Sequence, residues 1–169
     1  MARFTVAVRR LDYEALKAEL TPGDRVVILS CDSCARLSDG LGGEEGLAGL
    51  ADKLAADGFR VTCREVLPIA CSLEQLRACI DGKANRTLFE EADVVIPLAC
   101  RAGIDKAKEA LPGIRVLQVT ETLGKGVFSP ETGPRLTEPL EELGLEVDGT
   151  KGISLAEAAD RLGLHAGSF

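Results

Sequence analysis

The feature that most constrains the fold is a short apolar segment that ends in a pair of cysteines. Residues Val26–Ser30 are followed directly by Cys31 and then by Cys34, which together form a CxxC motif. A short, continuous apolar segment of this kind predicts a strand that is buried on both faces, as in a parallel sheet. Loops after the carboxyl ends of such strands are where open α/β sheets bind ligands. The two thiols are therefore predicted to lie at a ligand-binding edge.

Further apolar segments alternate with amphipathic ones along the next ninety or so residues. Strands are predicted over residues 59–66, 93–98 and 114–119, in addition to the first. Helices are predicted over residues 13–20, 44–56, 73–80, 83–91 and 104–111. This alternation predicts an α/β fold in three layers, with a parallel sheet of about four or five strands and flavodoxin- or Rossmann-like winding.

The two ends of the chain are less regular. Residues 4–8 predict either a short strand or an arm that leads into the first helix, and residues 136–143 predict a short helix. Ser154 and Glu157 form a capping box for a last helix through Leu162. We expect a single domain of 169 residues in which residues 134–169 form a helical extension. The tail that carries His165 is expected to be mobile.

Four cysteines follow predicted strands at the point where each strand ends. Cys31 and Cys34 follow the first strand, Cys71 the second and Cys100 the third. If the first strand lies between the second and the third, the strand order is 2-1-3-4 and the four thiols meet at one edge. Four thiolates are the ligand set of tetrahedral zinc and of a [4Fe–4S] cluster. The sequence thus predicts a metal centre there and leaves both metals open.

The same cysteines allow two other functions. A CxxC motif after a strand is also typical of thiol–disulfide exchange, although residues 35–43 predict a glycine-rich loop instead of the helix that such a motif opens into. In a small-molecule-binding domain the cysteines would only pack in the core. Cys63, within a predicted strand, and Cys79, on a predicted helix, are expected to be core residues. Cys79 would become the fourth ligand if Cys71 pointed away.

Two glycine-containing segments border the predicted cysteine edge. Residues 40–43 could bring backbone amides to an anion, but they match no phosphate-binding motif and are interpreted mainly as a flexible connector. Residues 120–133 are predicted to be a loop. This loop either closes over the cysteine edge, with Thr122 or Lys125 as a donor to the metal ligands, or is a plain surface loop.

Charge and hydropathy exclude several classes of partner. The net charge of −7 and the pI near 4.9 argue against a nucleic-acid partner. No apolar segment approaches the roughly 20 residues that span a bilayer, so no membrane partner is expected. Residues 1–10 lack the apolar core of a signal peptide. We therefore expect a cytoplasmic protein, in which cysteines are more often ligands, redox groups or core residues than disulfides.

A set of short motifs is similar to one known family. The motifs are Ser30-Cys31-Asp32-Ser33-Cys34, Gly42-Gly43-Glu44, Cys71, residues 92–100 (Ala-Asp-Val-Val-Ile-Pro-Leu-Ala-Cys) and residues 120–124. Together they resemble the small cysteine-rich companion subunit of methylenetetrahydrofolate reductase in acetogenic and related anaerobic bacteria. The chain departs from this family in having Arg101 where glycine is expected, and no cysteine after Cys100.

The resemblance implies a site and a biological setting. It implies that Cys31, Cys34, Cys71 and Cys100 hold zinc or an iron–sulfur cluster. It also implies a non-catalytic accessory subunit of anaerobic one-carbon or methyl-transfer metabolism. The expected partner is a methylenetetrahydrofolate reductase-like protein, or a corrinoid or methyltransferase protein.

Overall fold

A computed structural model of the protein describes residues 2–169. The strands in this part of the chain form two sheets of four strands each. The parallel sheet has the order β3-β2-β4-β5 and contains β2 (Arg25–Cys31), β3 (Arg60–Leu67), β4 (Val94–Leu98) and β5 (Arg115–Val116). The antiparallel sheet has the order β1-β6-β7-β8 and contains β1 (Ala2–Arg9), β6 (Thr120–Ser129), β7 (Gly133–Pro139) and β8 (Ile153–Ser154).

Seven α-helices connect or cover these strands within the described residues. They are α1 (Tyr13–Ala18), α2 (Cys34–Leu37), α3 (Gly43–Ala56), α4 (Leu73–Asp81), α5 (Arg86–Glu90), α6 (Arg101–Ala110) and α7 (Leu155–Leu162). The cap predicted at Ser154 is confirmed, because its hydroxyl accepts a 3.1 Å hydrogen bond from the backbone N–H of Glu157. Among residues 2–169, no helix combines the length and the apolar character needed to cross a membrane.

The predicted α/β fold with a parallel sheet is confirmed, and so is the position of the first predicted strand between the second and the third. β2 pairs with β3 on one side and with β4 on the other. Its alternate residues enter different apolar clusters: Ile28 packs with Leu50 and Leu54 of α3, whereas Leu29 packs with Leu76 of α4. A strand covered on both faces carries apolar side chains on both, which explains the continuous apolar sequence over residues 26–29.

The antiparallel sheet differs from the sequence prediction. The segment predicted as a loop over residues 120–133 is mainly β6. Of the helix predicted over residues 136–143, the first half lies in β7, and only Glu141–Leu143 are helical, as a short 3-10 helix. Glycine usually indicates a loop, but here it permits close contact between strands. A Cβ atom on Gly124 would collide with the carbonyl oxygen of Glu138, and one on Gly126 with the carbonyl oxygen of Arg135.

The segment around His165 is packed against the protein, so the prediction of a mobile tail is wrong. His165 and Arg9 exchange two backbone hydrogen bonds of 2.7 and 3.1 Å. The Arg9 guanidinium lies 5.2 Å from the centre of the Phe169 ring and donates to two nearby carbonyl groups. Phe169 itself is buried in the same apolar cluster as Leu50. Backbone pairing and aromatic burial hold the segment in place.

Candidate thiol site

Cys31 and Cys100 both lie at the carboxyl edge of the parallel sheet, where two neighbouring strands end. Cys31 is the last residue of β2, and Cys100 follows β4 by two residues, immediately before α6. Ser30 is in register with Leu98, so the two strands deliver the cysteines to neighbouring positions. Both side chains are buried, with 4% of Cys31 and 7% of Cys100 exposed. The strand ends thus place two thiols at the predicted edge.

Strand β1 of the antiparallel sheet brings Cys34 into the same neighbourhood. The backbone N–H of Thr5 donates to the Cys34 sulfur at 3.4 Å. Two residues along the same strand, Ala7 packs with Cys100 and Leu41 in a small buried cluster. Strand β1 therefore contacts both cysteines, Cys34 through the Thr5 N–H and Cys100 through Ala7. Cys31, Cys34 and Cys100 are called the thiol group below.

The motif opens directly into a helix, so the prediction of a loop from residue 35 is wrong at its start. Helix α2 begins at Cys34, and the N–H of Leu37 donates to the carbonyl of Ser33 at 3.0 Å. The helix ends where the Ser38 hydroxyl donates to the Cys34 carbonyl at 2.9 Å. That same hydroxyl accepts the N–H of Ala7 at 3.1 Å. Ser38 therefore joins α2 to the free edge of β1.

Cys71 differs from the thiol group in its exposure. Its side chain is exposed, on the loop that follows β3. The preceding residue, Ala70, is buried against α6, where a Cβ atom on Gly103 would lie 3.3 Å from the Ala70 Cβ. The Cys71 backbone is thus held near the first turn of α6. Its thiol faces solvent.

The donor set fits a thiophilic metal in chemistry, because zinc and iron–sulfur clusters both take cysteine sulfurs. Its arrangement is not that of a closed metal site. Within residues 2–169, no three cysteine, histidine, aspartate or glutamate side chains are grouped so that they could hold a metal ion. The prediction of a metal centre at Cys31, Cys34, Cys71 and Cys100 therefore stays a prediction.

The surroundings of Cys100 favour its neutral form. Burial raises the pKa of the Cys100 thiol, and the thiols of Cys34 and Cys31 raise it further. The backbone N–H groups of Gly103 and Ala102 lower the pKa, but burial is the larger effect. These N–H groups belong to the first turn of α6, where they would stabilise a thiolate. A positive charge placed beside Cys100 would lower the pKa of its thiol.

A cleft of about 530 Å³ opens beside Cys100, between α6 and the antiparallel sheet. Residues from α6, β6 and the end of β7 form its walls, among them Ala102, Asp105, Thr122 and Leu140. The Thr122 hydroxyl accepts the backbone N–H of Arg101 at 2.8 Å. The segment that the sequence predicts as a loop thus reaches the cysteine edge as a strand.

Lys125 separates this cleft from a smaller cavity beside Cys34. The second cavity has a volume of about 280 Å³ and includes Cys34, Thr5 and Lys125 in its lining. Thr5 and Lys125 also line the larger cleft. The Lys125 ammonium group donates to the Thr5 hydroxyl at 2.9 Å. Lys125 therefore lines both cavities, one beside Cys100 and one beside Cys34. Its ammonium group donates to the Thr5 hydroxyl and not to a sulfur.

The segment over residues 40–43 packs tightly beneath the CxxC motif. A Cβ atom on Gly42 would lie 2.6 Å from the Ala35 Cβ and 2.6 Å from the Cys31 carbonyl oxygen. The amides of Gly40 and Gly42 donate to carbonyl groups of α2 at 3.0 and 3.1 Å. These amides are already used inside the protein, so the glycines serve close packing here.

Cys63 and Cys79 form a separate pair, and their contacts lie elsewhere. The Cys63 sulfur lies 4.0 Å from the Asn85 side-chain oxygen, and the Cys79 sulfur 3.7 Å from the Asn85 side-chain nitrogen. Cys63 is buried, as predicted, whereas Cys79 is half-buried. Burial, together with the Glu65 carboxylate, raises the pKa of each thiol to about 11. Both cysteines are therefore neutral near pH 7.

Alkylation should distinguish these cysteines from Cys71. We expect Cys71 to react with iodoacetamide at pH 8 at least about tenfold faster than Cys63 or Cys79, because a pKa near 11 leaves only about 0.1% of a thiol ionised. The rates of Cys63 and Cys79 should rise as the pH approaches 11. Mass spectrometry of tryptic peptides, which separate the three cysteines, measures each rate. Equal rates at pH 8 would contradict this description.

Comparison with known proteins gives no match for the chain, whether to a family model, to a curated protein or to a solved structure. The resemblance to the companion subunit of methylenetetrahydrofolate reductase therefore stays a prediction from short motifs.

Proposed function

We propose that the protein is a metal- or iron–sulfur-binding accessory protein of anaerobic one-carbon or methyl-transfer metabolism. Its candidate ligands are Cys31, Cys34, Cys71 and Cys100. The observation that carries the proposal is the neighbouring position of Cys31, Cys34 and Cys100 at one edge of the parallel sheet. Cysteines that served only as apolar filler would have no reason to follow successive strand ends.

Either zinc or a [4Fe–4S] cluster is compatible with these ligands. Zinc would brace the loops or activate a thiol, whereas a cluster would pass one electron at a time. The chain itself supplies hydrogen-bond donors to the sulfurs: the N–H of Thr5 at Cys34, and those of Gly103 and Ala102 at Cys100. Donors of this kind stabilise the thiolate form that a metal requires.

The proposal includes a three-layer, flavodoxin- or Rossmann-like winding and a protein partner in the cytoplasm. The apolar clusters on the two faces of β2 support the winding. The loop after β3 supports a docking surface, because it exposes Ile69, a large apolar side chain with 44% of its area accessible, two residues before Cys71. The proposed partner is a methylenetetrahydrofolate reductase-like, corrinoid or methyltransferase protein.

A thiol–disulfide redox protein is the second candidate, and one observation favours it. Helix α2 starts at Cys34, so the CxxC motif opens into a helix as it does in many redox proteins. In this function Cys31 and Cys34 would form a disulfide, and Cys71 and Cys100 would have no role in the chemistry.

Anaerobic purification followed by metal analysis and a visible spectrum tests the proposal. We expect either about four irons per chain with a broad visible absorption, or a colourless protein with about one zinc. Protein that is metal-free after anaerobic purification would contradict the proposal. If that metal-free protein also forms a Cys31–Cys34 disulfide in air, the result would support the thiol–disulfide redox function instead.

A further inference from the structure

We infer that the cleft beside Cys100 binds a small organic molecule that carries one carboxylate group on an apolar body. The carboxylate would accept hydrogen bonds from the Thr122 hydroxyl and the Lys125 ammonium group, and the apolar body would cover the apolar wall of the cleft. This inference goes beyond the proposed function, because it requires no bound metal. The cleft volume of about 530 Å³ lies within the range of small-molecule sites.

Thr122 supplies a buried hydrogen-bond donor in the wall of the cleft. Only 8% of this residue is exposed, and its hydroxyl oxygen accepts the backbone N–H of Arg101 at 2.8 Å. Among residues 2–169, the hydroxyl hydrogen has no acceptor. A buried donor is unfavourable while it stays unpaired, because it has given up water without gaining a partner. An acceptor oxygen of a ligand in the cleft would complete this hydrogen bonding.

The irregular path of β6 brings Lys125 to the same cleft. In a regular strand consecutive side chains lie on opposite faces, yet Gly124 and Lys125 both line the cleft. Strand β6 is irregular on both of its edges here. Its register with β1 shifts between Val6 and Ala7, and its register with β7 shifts directly after Lys125. Bulges of this kind redirect a side chain and are common beside active sites, which accounts for a lysine at the cleft.

The positive charge of Lys125 is not neutralised by a carboxylate of the protein. Arg101, the other cation in the lining, pairs with Glu121 and Glu142 at 3.4 and 3.3 Å. Within residues 2–169, Lys125 forms no ion pair and donates only to the Thr5 hydroxyl, at 2.9 Å. A ligand carboxylate would therefore gain a charge-assisted hydrogen bond from this ammonium group.

The charges on α6 favour a single carboxylate. This helix has ten residues and no acidic side chain in its first turn, so the positive end of its dipole remains available to an anion. Asp105, one turn further along, and Glu138 are the acidic residues in the cleft lining. Glu138 pairs with Arg3, whereas Asp105 forms no ion pair within residues 2–169. The Asp105 carboxylate would therefore repel a second anionic group.

The rest of the cleft wall favours an apolar body. Ala102 of α6, together with Pro139 and Leu140 at the end of β7, lines this part of the cleft. Ala102 is exposed, and the other two residues are half-buried. A ligand that covers them would remove apolar surface from water. These surfaces favour an apolar carboxylate over a strongly polar one such as a sugar acid.

Equilibrium dialysis tests the inference on the protein as purified. The probes are 3-phenylpropionate and its uncharged counterpart 3-phenylpropionamide, and we expect the carboxylate to bind more tightly. Lys125→Gln should weaken binding of the carboxylate about two- to fivefold and leave that of the amide unchanged. Thr122→Val should weaken binding of the carboxylate about tenfold or more, because it removes a buried donor to a charged acceptor. Thr122→Ser, which keeps the hydroxyl, should retain the wild-type affinity.

Lys108→Gln is the matched control for the charge. Lys108 is an exposed lysine of α6 that does not line the cleft, so this variant should bind 3-phenylpropionate as wild type does. No binding of 3-phenylpropionate to wild type, or equal affinity for the amide, overturns the inference. Equal weakening by Lys108→Gln and Lys125→Gln overturns the role of Lys125, and equal weakening by the two Thr122 variants overturns that of Thr122. Metal content is measured separately, so a metal-free protein that binds the carboxylate contradicts only the proposed function.

Discussion

Gly46→Ala should lower the free energy of unfolding by about 2–3 kcal/mol, whereas Gly49→Ala should raise it by about 0.5–1 kcal/mol. Both glycines lie in helix α3, three residues apart, so the two variants make the same chemical change in the same helix. The intrinsic preference for alanine over glycine in a helix is therefore equal at both sites. Any difference in sign must come from the space around each Cα atom.

That space differs sharply. A Cβ atom on Gly46 would lie 2.5 Å from the carbonyl oxygen of Leu41 and 2.8 Å from that of Gly40, both in the loop that packs beneath the CxxC motif. Backbone atoms give way less readily than the end of a flexible side chain, so the clash must displace the loop. At Gly49 the nearest atom is the Phe169 carbonyl oxygen at 3.7 Å, an ordinary contact.

Urea denaturation of the metal-free proteins measures both changes without a contribution from metal binding. The slope of the unfolding free energy against urea should be unchanged in both variants, because the same surface is exposed on unfolding. Two stabilised variants would show that the loop moves at little cost. In that case the tight packing of residues 40–42 against α3 would not be a constraint on the CxxC motif.

The parallel half of the fold could be predicted because its signals are local. β2 and β4 each contain a continuous apolar segment. The cap at Ser154 can be recognised from the pair of Ser154 and Glu157. The antiparallel half could not be predicted in the same way. The place of Gly124 within β6 depends on the Glu138 carbonyl of β7, a contact that sequence spacing does not reveal.

The candidate site could likewise be predicted only where its contacts follow from local sequence signals. Cys31 and Cys100 were predicted together because strand ends in a parallel sheet meet at one edge. The N–H of Thr5 at the Cys34 sulfur was missed, since Thr5 is 29 residues away in a segment with only weak strand character. The exposure of Cys71 was missed as well, because it depends on the path of a short loop.

Cys100→Ser should reduce the metal content nearly to zero, whereas Cys63→Ser should leave it at the wild-type value. A serine hydroxyl is a hard, weakly acidic donor, so it replaces a thiolate poorly at zinc or at an iron–sulfur cluster. Metal per chain after anaerobic purification is the measurement. Circular dichroism and a urea transition show whether each variant is folded.

Cys63 is a close control because the two substitutions have similar structural costs. Both cysteines are buried, with 5% of Cys63 and 7% of Cys100 exposed, so each variant places a hydroxyl where a thiol was packed. Burial also raises the pKa of both thiols, so a raised pKa by itself cannot account for a difference between the variants. The two cysteines differ in location: Cys100 follows β4, the strand paired with β2 and Cys31, whereas Cys63 contacts Asn85. Equal metal loss in the two variants would therefore indicate a general loss of packing and remove Cys100 from the site. Loss in Cys100→Ser alone would assign the metal to the edge where β2 and β4 end.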